Sequence, residues 1–114
     1  FGAYDLLLMP TLPCVATPLP PKDASLEEIV ARGFEMTGTT APLNLTGHPA
    51  MSIPCGLSDG LPVGMMFTAR FADEATLFRL AAQLEQVRPW AGRFPPHSIF
   101  AAAPIPGRPA APRA

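Results

Sequence analysis

The sequence predicts an α/β segment: a β-sheet covered by helices, followed by a proline-rich tail that is expected to be disordered. Three observations carry this. Two strand-like runs flank Asp59-Gly60, a pair of residues that both tolerate positive φ and so close a tight hairpin. Helix starts are marked at Ser25-Leu-Glu-Glu28 and at Asp73-Glu74, each followed by apolar residues at helical spacing. Residues 87–114 hold seven prolines and four arginines but no acid, a composition that favours a solvated, flexible end.

Taken in order, Tyr4-Asp-Leu-Leu-Leu-Met9 is a short apolar run closed by Pro10. It reads as a strand buried on both faces in the middle of a helix-covered sheet. Residues 10–21 contain five prolines and are expected to form an extended loop. In Ser25-Leu-Glu-Glu28 the serine hydroxyl accepts from the Glu28 amide while the Glu28 carboxylate reaches back to the Ser25 amide. A helix follows to about Met36, with Leu26, Ile29, Val30 and Phe34 broadly on one face and Gly33 weakening it by up to about 1 kcal/mol relative to alanine.

A short helix over Pro42–Thr46, ended by Gly47, is compatible with proline in a first helical turn and glycine at a helix end. Strands are predicted over Ala50–Cys55 and Leu61–Ala69. Pro54 and Pro62 lack an N–H and should lie at strand ends or bulges. Asp73 is the expected N-cap of the last helix, whose Leu77, Leu80, Ala81 and Leu84 fall at i, i+3, i+4 and i+7 and should pack on the sheet. That helix should stop before Pro89. Residues 1–86 are therefore read as one folded segment and 87–114 as a tail.

With 114 residues the chain suffices for one modest core. Its 48% apolar and 15% charged residues suit the interior part of a larger domain better than a free-standing one. It opens on Phe1 and enters a strand pattern by Tyr4, and is read as a truncated fragment rather than a processed chain. A net charge of −1 argues against a nucleic-acid partner. No apolar run approaches the roughly 20 residues of a membrane span and no signal peptide is visible. Cys14 and Cys55 are accordingly read as reduced thiols of a cytoplasmic protein.

No residue is assigned a catalytic role. Nucleophilic catalysis requires a nucleophile, a base within reach and oxyanion donors. Ser25 is committed to a helix cap, Ser58 to a turn, Ser98 to the tail, and Ser52 lies within a strand pattern, none of them in a glycine-rich turn. Lys22, the only lysine, lies in a polar loop. Cys55 and His48 could pair as a nucleophilic site, but a buried structural thiol and a hydrogen-bonded structural histidine are favoured. Cysteine and histidine spacing does not suit zinc, so no metal is expected, and no phosphate-cradling glycine loop is present. Met65, Met66 and Phe67 read as core. Thr37, Thr40 and Asn44 are polar positions in an apolar setting: they either bond local backbone or point into a substrate pocket.

Several motifs in one order resemble the C-terminal segment of the amidase signature family. Tyr4-Asp-Leu-Leu-Leu-Met-Pro-Thr-Leu-Pro13 resembles its Tyr-Asp-apolar-Pro-Thr-x-Pro strand and loop. Ala41-Pro-Leu-Asn-Leu-Thr-Gly-His-Pro49 resembles its Pro-x-Asn-x-x-Gly-x-Pro segment, and Met51-Ser-Ile-Pro-Cys-Gly56 with Asp59-Gly-Leu-Pro-Val-Gly64 its hairpin. Asp73-Glu-Ala-Thr-Leu77 resembles the opening of its final helix. The run Leu7–Pro13, with Thr17–Pro21 and Gly47–Ala50, is most similar to amidases found beside nitrile hydratases.

The resemblance implies an α/β fold with a large mixed β-sheet flanked by helices, of which residues 1–86 supply the last strands and helices. It implies hydrolysis of a small-molecule carboxamide to acid and ammonia through an acyl-enzyme. The Ser–Ser–Lys triad of the family lies upstream of these motifs, so none of it maps onto this chain. The resemblance implies no metal or organic cofactor. The implied partners are the rest of the amidase domain and, for the complete enzyme, a second copy in a homodimer. The substrate-binding candidates are Thr37, Thr40 and Asn44. The alternative is the A-type component of glutamyl-tRNA amidotransferase, which usually carries an acid to hold the glutamine amino group where Thr37 stands here. Loss of that charge favours an uncharged amide. A third reading is a stand-alone, non-catalytic interaction module.

Overall fold

The computed structural model describes residues 1–94. Its elements are β1 (Leu7–Pro10), α1 (Leu26–Thr37), α2 (Ala41–Thr46), β2 (Ala50–Ser58), β3 (Leu61–Thr68) and α3 (Glu74–Val87). Phe1–Ala81 form one compact unit, which contains the whole sheet, and a second unit begins at Ala82.

The sheet has the order β1-β3-β2, and both pairings are antiparallel. The β2–β3 hairpin closes through Asp59 (φ 50°) and Gly60 (φ 79°), with Ser58 opposite Leu61. Two successive positive φ values define the turn whose twist matches the flanking strands. β2 extends past the predicted end at Cys55 because a bulge absorbs the proline: the register shifts between Pro54 and Gly56, leaving Cys55 unpaired. Pro54 on an edge strand and next to a bulge removes no central ladder bond.

β1 departs from its predicted form in two ways. It is shorter than the run from Tyr4, because β3 ends at Thr68 opposite Leu7 and leaves earlier residues nothing to pair with. Those residues are held instead by the Arg70 guanidinium, which donates to the carbonyl oxygens of Phe1 (3.0 Å) and Tyr4 (3.2 Å) and pairs with the Asp5 carboxylate at 3.0 Å. Nor is β1 buried on both faces. It is an edge strand, and Leu7 and Leu8 are 44% and 54% exposed.

The core consists of Ile53, Met66, Phe67, Ala69 and Leu77 together with Thr68, all under a tenth exposed. Met66 and Phe67, on opposite faces of the central strand, are covered as predicted. Along α3, Leu77 is buried and Leu80, Ala81 and Leu84 are half-buried, which is the predicted stripe. Asp73 caps this helix by accepting from the Thr76 amide (3.3 Å) and the Thr76 hydroxyl (2.8 Å).

The capping box of α1 is complete: the Glu28 amide donates to Ser25 Oγ at 3.2 Å, and the Ser25 amide donates to Glu28 Oε2 at 2.8 Å. The face of α1 is a different matter. None of its residues is buried, and Leu26 and Phe34 are 77% and 74% exposed. Local capping is enough to start this helix; nothing among the described residues covers it. α2 ends as predicted on Gly47 in the left-handed conformation (φ 69°), whose amide donates to the Leu43 carbonyl at 2.9 Å.

Of the tail expected to be disordered over 87–114, residues 95–114 lie outside the described residues, as does Ser98. Over 88–94 the Arg88 amide donates to the Leu84 carbonyl (2.8 Å) and the Arg93 amide to the Trp90 carbonyl (2.9 Å). No helix among the described residues is long and apolar enough to cross a membrane.

Candidate functional site

The three residues singled out in the sequence meet at the junction of α1 and α2. Thr37 closes α1, and its hydroxyl donates to the Gly33 carbonyl at 3.0 Å. The Thr40 hydroxyl donates to the Thr37 carbonyl at 3.2 Å, and the Asn44 amide to the Thr40 carbonyl at 3.2 Å. Both hydroxyls thus bond local backbone, one of the two outcomes open to them. Asn44 is exposed, and its side chain makes no hydrogen bond among the described residues.

The next residue in the junction connects it to the proline-rich loop. Thr39 Oγ1 donates to the Thr11 carbonyl at 2.5 Å, and the Thr11 amide donates to the Gly64 carbonyl at 3.0 Å, extending the β1–β3 ladder one residue beyond Pro10. With both backbone groups of Thr11 held, its side chain is directed across the central strand, where Thr11 Oγ1 lies 2.6 Å from Ser52 Oγ on β2. The pair spans β3 at Gly64. A Cβ there would lie 2.7 Å from Thr11 Oγ1 and 2.8 Å from Ser52 Oγ, so only glycine leaves the two hydroxyls free to meet.

This hydroxyl pair borders a cavity of about 510 Å³. Its remaining wall comes from the loop after β1, the start of β3 and Met36 at the end of α1, and no charged side chain lines it. The volume is in the usual range for a small-molecule site, and the lining is apolar with a few convergent polar groups. Thr11, Ser52, Thr39 and Gly64 are not among the candidates that the sequence suggests. Their motifs are visible there, but 41 residues separate Thr11 from Ser52, and no local spacing announces their meeting.

The arrangement can bind a neutral group but supplies no activated nucleophile. Ser52 is partnered by a hydroxyl rather than by a base. Lys22 is exposed. Cys55 is half-buried at the bulge and Cys14 exposed, and both are free thiols. His48 is expected from the sequence to serve through hydrogen bonds. Instead its ring stacks on Phe1 (centroids 5.4 Å apart) and meets Phe71 edge-on (6.5 Å), since the Gly47 turn sets it between two aromatic side chains. Among the described residues no group of three His, Cys, Asp or Glu is placed to hold a metal ion.

Comparison with known proteins gives a consistent result. The sequence profile of the family described as Amidase matches residues 1–78. A Rhodococcus erythropolis protein, described as an uncharacterised protein in the nthA 5′ region, is 46% identical over 92 residues, which is 81% of this chain and 45% of that protein. The A-type component of the glutamyl-tRNA(Gln) amidotransferase of Chloroflexus aggregans is 42% identical over 95 residues, covering 83% of this chain and 19% of that protein. Among solved structures, 6-aminohexanoate cyclic dimer hydrolase superposes with a TM-score of 0.69 at 34% identity, over 83% of this chain and 22% of the hydrolase. The chain thus spans less than half of the length of the relatives it matches.

Proposed function

Since this chain belongs to the amidase family, whose profile takes in residues 1–78, we propose that it forms the C-terminal segment of a hydrolase that converts a small, uncharged carboxamide to its acid and ammonia. In this reading residues 1–86 complete the amidase sheet and wall one side of the substrate pocket, and 87–114 form an appended tail. The nucleophile comes from the remainder of the amidase domain: a serine attacks the amide carbon, ammonia departs, and water releases the acid from the acyl-enzyme. Thr37, Thr40 and Asn44 at the α1–α2 junction are assigned to the substrate pocket of the complete enzyme, outside the lining of the cavity beside Thr11 and Ser52, and the complete enzyme is assigned to the cytoplasm.

The observation that carries the proposal is the neutrality of the site. The cavity has no charged lining; apart from it, Thr37, at the position where the amidotransferase usually has an acid, is uncharged and spends its hydroxyl on its own helix. A glutamine amino group would lose its charge-assisted partner there. Similarity to the amidotransferase keeps glutamine hydrolysis as the second reading.

The test is a chimera in which residues 1–86 replace the matching segment of the Chloroflexus amidotransferase component. Ammonia release is measured from benzamide, from acetamide and from glutamine. Turnover of the simple amides over glutamine is expected. A folded, monodisperse chimera inactive on every amide would overturn the proposal, and preference for glutamine would favour the second reading. Amide turnover by the pure 114-residue chain would refute the assignment of the nucleophile to the remainder of the domain.

A further inference from the structure

Building on the amidase reading, we infer that the cavity beside Thr11 and Ser52 binds the uncharged carboxamide itself, and that these two hydroxyls set specificity against the carboxylate product. Each hydroxyl has one O–H and two acceptor lone pairs. Their mutual bond at 2.6 Å consumes one O–H. The pair therefore keeps one O–H donor, with acceptor lone pairs remaining on both oxygens, so a donor and an acceptor stand side by side. A carboxamide presents the complement, a carbonyl acceptor next to an N–H donor. Either hydroxyl can be the donor in the mutual bond, so the pair accepts the amide in either orientation.

A carboxylate is acceptor-only and finds a single donor here. No cation in the lining offsets its desolvation, which is partial because Ser52 is exposed but still unfavourable for an unpaired charge. An ammonium group meets acceptor lone pairs but no anion in the lining to offset its own desolvation. The site therefore distinguishes a neutral amide from the acid formed from it.

The pair is preorganised. Thr39 holds the Thr11 carbonyl, the Gly64 carbonyl holds the Thr11 amide, and the missing side chain at Gly64 leaves the hydroxyls room. Ordering costs that would otherwise weaken binding are met by the fold. The apolar part of the ligand rests against Leu12, Val15, Val63 and Met36, the last a flexible side chain suited to varied shapes.

The experiment titrates the 114-residue chain with benzamide, benzoate and benzylamine, following methyl resonances of Val15, Val63 and Met36 by NMR. Saturable shifts with benzamide, at least about tenfold weaker with either charged analogue, are expected from the cost of an unpaired charge. Thr11→Val and Ser52→Ala should each weaken benzamide about five- to tenfold, the usual effect of losing one hydrogen bond, while Thr11→Ser retains affinity. In the chimera, Thr11→Val should raise KM for benzamide without lowering kcat, and Thr11→Ser should restore it; a merely structural tie would give no such split.

Unchanged benzamide affinity in both hydroxyl-deleting variants, equal binding of benzoate, or an unaltered KM in the chimera would overturn the inference. The two proposals fail separately. An inactive chimera with benzamide still bound by the chain removes the amidase reading alone. An active chimera indifferent to Thr11→Val removes only this site.

Discussion

Replacing Gly64 with alanine tests the geometry on which the site depends. The new Cβ would stand 2.7 Å from Thr11 Oγ1, 2.8 Å from Ser52 Oγ and 3.1 Å from Thr11 Cβ. Favourable contact lies near 3.5–4.0 Å, so each neighbour must retreat by several tenths of an ångström or more. Ser52 can rotate away. Thr11 is less free, because its amide and carbonyl are both bonded and its Cβ is itself in the way. Overpacking of this kind costs about 1–3 kcal/mol. Separating the hydroxyls adds about 0.5–1.5 kcal/mol. Against this, alanine restricts the unfolded chain and returns about 0.4–1 kcal/mol. The expected net effect is a loss of about 0.5–4 kcal/mol, measured as a lower urea midpoint at unchanged m by far-UV circular dichroism. In a Ser52→Ala background one of the two close contacts is gone, and the same substitution should cost measurably less. A Gly64→Ala chain as stable as the parent, or a cost independent of Ser52, would refute the reasoning.

Three further outcomes follow from the same structure. Gly33→Ala, with open space around its Cβ, should stabilise α1 by up to about 1 kcal/mol, opposite in sign to Gly64→Ala, read as increased helical signal. Asp73→Ala removes both bonds to Thr76 and should cost about 0.5–2 kcal/mol, with faster hydrogen exchange at the Thr76 amide. Arg70→Gln should change the unfolding free energy by no more than about 1 kcal/mol, because its ion pair with Asp5 is exposed, yet should speed protease cleavage within residues 1–6.

Much of the fold is legible in the sequence because it is encoded within a few residues. Ser25 and Glu28 cap each other across one helical turn, Asp59 and Gly60 carry the positive φ values of the hairpin, and Asp73 meets Thr76 three residues on. The α3 stripe is legible for the same reason, since Leu77, Leu80, Ala81 and Leu84 share a face by helical geometry alone. The candidate site is legible only in part. Thr37, Thr40 and Asn44 stand at the α1–α2 junction and none of them lines the cavity, while nothing local marks the hydroxyl pair beside it.

By itself, then, the sequence determined the caps, turns, element order and family resemblance of this chain. These rest on steric limits and hydrogen bonds between near neighbours, which any conformation of the chain must respect. Tertiary structure decided the rest. It paired β1 with β3 across the sheet from β2, seated His48 between Phe1 and Phe71, and brought Thr11 to Ser52 over Gly64. Each of those outcomes depends on which distant backbone lies alongside, and pairing across a sheet is settled by the burial and register of the whole assembly rather than by any one segment.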